Sequence, residues 1–139
     1  MDRRAQFAFL GFGAVLLISF AYTLGGQKSP PVSGEPMVAV TVPDLDTNTK
    51  LGERLFNENC ASCHGKNAAG QDGVAPPLVH KIYEPNHHGD GSFLNAAMSG
   101  VRAHHWPFGD MPPVEGVTEK DVAMIVAYVR SLQRANGIN

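Results

Sequence analysis

Five residues, Cys60-Ala61-Ser62-Cys63-His64, constrain this chain more than any other stretch. They hold its two cysteines, which lie too close together to staple a fold. Thiols three positions apart on a helical turn can each add to one vinyl group of a haem, and the adjacent imidazole then projects at the iron. Other uses of a C-x-x-C pair need features that are weak here. A thioredoxin-like redox pair sits in a βα setting that the surrounding pattern does not supply. A zinc site needs two further ligands, and His80, His87, His88, His104 and His105 lack the compact H-x₃₋₅-H spacing. A chain of 139 residues has room for one small domain, and a buried cofactor is one way to stabilise a domain of that size.

Covalent haem attachment is an extracytoplasmic process in bacteria, and the N-terminus carries a matching export signal. No Asp, Glu, Lys or Arg occurs from Ala5 to Gln27. Residues 5–24 are about the length that spans a bilayer as a helix. Arg3 and Arg4 place residues 1–4 in the cytoplasm and the rest outside, in the periplasm. A cleaved secretory signal is the other reading, with Ser19 and Ala21 suiting a small-x-small site. Both readings export the remainder. Residues 25–46 contain Pro30, Pro31, Pro36 and Pro43, which forbid a long helix, and read as a semi-extended tether. Fully stretched, it would span roughly 70 Å at ~3.3 Å per residue. Within it, MVAVTV has the composition of a short strand but no visible partner.

Residues 47–139 read as an all-α head. NTKLGERLFNENC places Leu51 and Leu55 on one helical face, with Asp46, Thr47 or Asn48 as cap. Gly52 in mid-helix costs about 1 kcal/mol relative to Ala, which a close helix crossing would explain. GSFLNAAMSG predicts a shorter helix closed by Gly100. TEKDVAMIVAYVRSLQ is the clearest helix, with Thr118 and Asp121 as a capping box. Its apolar stripe is Val122, Ile125, Val126, Val129 and Leu132. The net charge of -2 gives no case for nucleic acid.

The head resembles the class I c-type cytochromes, a small all-α fold around one covalent haem. CASCH carries the resemblance first. Gly52 and Phe56 stand where the family has a glycine and an aromatic, and Tyr128 matches the aromatic that crosses near that glycine. Pro76 and Leu78 in VAPPLV match a proline and leucine that follow the histidine. The resemblance implies that the Pro76 carbonyl accepts a hydrogen bond from His64 Nδ1, orienting the ring and raising its basicity. It also implies an axial methionine in a loop before the last helix, for which MPPV supplies Met111.

HHWPFGDMPP, residues 104–113, therefore offers three candidate second ligands: His104, His105 and Met111. A thioether would stabilise Fe(II) and raise the potential, and a second imidazole would lower it. An open position would suit a sensor or peroxidase-like subunit. Gly109 permits a tight turn, and Pro112 and Pro113 restrict the backbone after Met111, which favours Met111. Met98 and Met124 lie in helices and are expected to pack in the core. Trp106 is placed to cover the haem edge, where its indole N–H would need a partner if buried. The expected function is electron transfer without substrate chemistry. Its expected partners are a respiratory complex, a terminal oxidase, an exported dehydrogenase or a copper protein. The paired histidines keep a copper-linked accessory role as an alternative.

Overall fold

The computed structural model describes residues 34–139. The apolar segment 5–24, with the first part of the tether, lies outside the described residues. Among the described residues no helix is long and apolar enough to cross a membrane.

Among the described residues four helices carry the fold: α1 (Thr47–Asn59), α2 (Ala61–His64), α3 (Asp90–Ser99) and α4 (Glu119–Ala135). Two single 3₁₀ turns, Lys66–Ala68 and Lys81–Tyr83, punctuate the chain between α2 and α3. No strand ladder forms among the described residues; Gln71–Ala75 and Val101–Met111 are isolated bridges. The caps are chemical. Asp46 Oδ1 accepts from the Thr49 backbone N–H at 2.8 Å and opens α1. Thr118 and Asp121 close a reciprocal capping box on α4. Gly100, at φ 76°, ends α3.

α1 crosses α4 at Gly52. A Cβ built there would stand 2.1 Å from the Met124 carbonyl oxygen and 3.0 Å from Tyr128 Cβ. Only a residue without a side chain allows that approach, and the local helix cost of glycine is offset by packing gained along the crossing. Phe56 and Tyr128 meet there with ring centroids 5.7 Å apart and planes tilted by 55°. Both are fully buried, as are Val129 and Leu132. Burying one such side chain contributes about 1.5–3 kcal/mol. Every member of the α4 stripe, from Val122 to Leu132, lies in the core.

The segment 34–46 is part of this unit rather than free tether. Met37 and Val38 donate backbone N–H groups to the Ala69 carbonyl at 3.1 and 3.2 Å. Asn136 clasps Thr41, accepting from its N–H at 2.9 Å and donating to its carbonyl at 2.8 Å. Val40 and Leu45 pack against the core. The chain is extended here but bonds at scattered points, to the backbone of Asp72, the Ala69 carbonyl and the Asn136 side-chain amide, so no strand results.

Candidate haem site

The Cys60–His64 motif follows directly on α1. Cys60 N–H still bonds to the Phe56 carbonyl at 2.8 Å, and His64 N–H returns to Cys60 at 2.9 Å. The two cysteines therefore sit one turn apart, Cys60 half-buried and Cys63 exposed, both as free thiols. Burial, with a smaller push from Cys63, raises the Cys60 thiol to about 11. A redox-active C-x-x-C pair needs the opposite, a depressed thiolate, so that use does not fit. Gln71 fixes the far end of the motif. Its Nε2 faces the carbonyls of Ala61, Ser62 and Cys63 at 3.2, 2.8 and 3.1 Å.

His64 is buried, and its Nδ1 donates to the Pro76 carbonyl at 2.9 Å. That bond leaves Nε2 with its lone pair, the form in which imidazole ligates a metal. Burial holds the ring below its ordinary pKa, and the Pro76 carbonyl offsets part of that drop. Gly70 lets the following loop close on Pro77. At φ 74° it approaches so tightly that a Cβ would stand 2.6 Å from the Pro77 nitrogen.

Cys60, Cys63, His64 and Met111 line one cavity of about 490 Å³. The inner face of α3 and the loop after it complete its largely apolar wall. Met111 is held by a two-way backbone pair with Val101, both bonds 2.9 Å. Gly100 makes room for that pair, since a Cβ there would lie 2.6 Å from the Met111 carbonyl oxygen. Asp110 ties the loop across its base by accepting from Ala103 N–H at 2.8 Å. The other described methionines do not reach the cavity. Met98, expected in the core, is 43 % exposed because α3 turns that position outward.

The donor set fits haem. An apolar cavity with two thiols at its edge, one nitrogen ligand and one thioether suits a flat apolar macrocycle bearing an iron ion. Trp106 adds an independent sign. Its indole N–H is buried and forms no well-aligned hydrogen bond, although the Tyr83 hydroxyl is its neighbour. A buried donor without an acceptor is costly, and an anionic edge of the bound group would supply one. The family model for cytochrome c matches residues 49–133.

The chain belongs to the cytochrome c family.

A protein of this family carries haem c. Among relatives, the chain is 37% identical over 87 residues to a cbb3-type cytochrome c oxidase subunit CcoP of Rubrivivax gelatinosus, covering 61% of this chain and 26% of the relative. It is 34% identical over 64 residues to a cytochrome bc1 complex cytochrome c subunit of Mycobacterium leprae, covering 46% of this chain and 22% of the relative. The matched stretch thus spans about a quarter of the length of these relatives.

Two residues of this cytochrome c that support the cavity wall were not recognised from sequence. One is Arg130, on α4. It is buried, bonds Asp90 Oδ1 at 2.8 Å, and donates to the carbonyls of Tyr83 at 2.7 Å and His88 at 2.5 Å. Its guanidinium also lies 4.9 Å over the Phe93 ring. Gln133, fully buried one turn on, donates to Leu78 O at 2.8 Å and accepts from Arg130 at 2.6 Å. Together they pin the 78–88 loop and α3 to α4. His80 is taken up locally, accepting from Ile82 N–H at 3.2 Å and meeting Trp106 edge-on at 5.2 Å. His105 lies among His104, His88 and His87; partial desolvation and then their like charge hold it below the usual imidazole pKa.

Proposed function

We propose that this cytochrome c is an exported, membrane-tethered carrier of single electrons. Cys60 and Cys63 would hold one haem c covalently, and His64 and Met111 would ligate its iron. When bound, the haem supplies a one-electron Fe(III)/Fe(II) couple. The protein's part is to keep both ligands in place through the change. Pro76 fixes the His64 ring and favours Nε2 as the ligating atom. The Val101 pair and the Gly100 turn fix the backbone of Met111, and a thioether ligand raises the potential. The largely apolar wall offers water few hydrogen-bond partners in the cavity. Exposed Cys63 marks the edge at which a partner would approach.

The observation that carries this reading is the sharing of one cavity by His64, already oriented through Nδ1, and Met111, already fixed by its backbone. The named assemblies of the two relatives favour respiratory partners, a terminal oxidase or a bc1-type complex. A net charge of -2 gives little long-range steering, so the tether is the device that raises encounter frequency. Carbon monoxide added to the reduced native protein tests the coordination. The carrier reading expects no binding until the protein is denatured. Rapid binding to the native form would favour an open-iron sensor or peroxidase-like subunit instead.

A further inference from the structure

Electron carriage leaves two histidine pairs unused. His87 and His88 precede α3, and His104 and His105 follow it. The fold brings the pairs together. Ring centroids lie 4.6 Å apart for His87–His88, 5.4 Å for His87–His105 and 5.2 Å for His88–His105. One ring nitrogen from each of these three lies within 4.8 Å of the others. Nitrogens bound to one tetrahedral ion at ~2.0–2.1 Å would stand about 3.3 Å apart, a closure that side-chain rotation can supply.

The rings are also prepared in the way ligating imidazoles are. His88 Nδ1 donates to the Ile82 carbonyl at 2.7 Å, and His104 Nδ1 to the Arg102 carbonyl at 2.8 Å. Each bond selects the tautomer whose Nε2 lone pair is free for a metal. Buried Arg130 holds the His88 backbone from behind. Ordinary polar loops do not need four imidazoles ring to ring from two separate segments, where protonation of several at once would be repulsive.

We infer that His87, His88 and His105 form a binding site for a divalent transition-metal ion of the imidazole-preferring class, Cu²⁺ or Zn²⁺, separate from the haem iron. Three nitrogens leave a fourth position for water or for His104. The general order of affinities puts Cu²⁺ above Zn²⁺. His88 and His105 also stand on the rim of the haem cavity. A bound ion would therefore fasten the loop before α3 to the loop that carries Met111.

The test is calorimetric titration of the full haem-loaded protein with Cu²⁺ and, separately, with Zn²⁺. His87→Asn, His105→Asn and the double variant are run beside it, with His80→Asn as control. One equivalent should bind, Cu²⁺ more tightly than Zn²⁺. Affinity should fall at least about tenfold in each single variant and to background in the double, and persist in His80→Asn. The bound Cu²⁺ should show nitrogen couplings in electron paramagnetic resonance. Wild-type binding no tighter than that of the double variant would overturn the site. So would a change from low-spin to high-spin haem absorption in His105→Asn, which would assign that ring to the haem iron.

Discussion

Where α1 crosses α4, backbone meets backbone at Gly52, and Phe56, Tyr128 and Leu132 are fully buried behind it. Where α3 and its flanking loops face the cavity, no residue of α3 is buried. The first region closes on protein atoms alone. The second is held from outside, by Arg130 and Gln133, by the Val101–Met111 pair and the Val114–Ala97 backbone bond and by turns, and turns apolar side chains towards a cavity. Half of this fold is thus a finished core, and the other half is a wall shaped for a group that the chain itself does not supply.

That contrast sets the order of expected effects. Gly52→Ala forces a Cβ against the Met124 carbonyl and should cost about 3 kcal/mol or more, read as a lower urea midpoint. The haem spectrum of the protein that still folds should be unchanged. Arg130→Met strips donors from the Tyr83 and His88 carbonyls and should cost about 2–3 kcal/mol. Its hydrogen exchange should rise in residues 80–90 and not in α1. Gly100→Ala meets both a positive φ and the Met111 carbonyl, at an expected cost of about 1–2 kcal/mol. Unlike Gly52→Ala it should weaken the near-red band. An equal spectral effect from both glycine variants would erase the distinction between the two regions.

The smallest effect belongs to the cap of α4. Thr118→Ala should cost about 1 kcal/mol. It should also alter the acid limb of stability. The Thr118 hydroxyl, then its backbone N–H, hold the Asp121 carboxylate below 3.8. A folded pKa below the unfolded one gives stability that is present above pH 3.8 and lost as pH falls through the folded value. The variant should therefore lose less on acidification than the parent does.

The finished region was the legible one. The α4 stripe, the Thr118 capping box and the need for a close approach at Gly52 follow from helical period, capping chemistry and sterics, which are local properties; Tyr128 as the partner there is implied by the family resemblance alone. The motif Cys60–His64 is local as well. The supporting parts of the wall are not. Arg130 becomes a buried anchor only because two carbonyls from residues over 40 positions away stand opposite it. Gln71 looks like any loop glutamine until three carbonyls of α2 converge on it. The same long-range closure docks residues 34–46 on the head and gathers His87, His88 and His105. No short-range pattern encodes such meetings.

The central claim is that His64 and Met111 together saturate the haem iron. It is tested most directly by the near-red absorption band of the oxidised protein, which reports methionine bound to ferric haem. The band should be present in the wild type and absent in Met111→Ala, with the haem still covalently attached. Its survival in that variant would contradict the account.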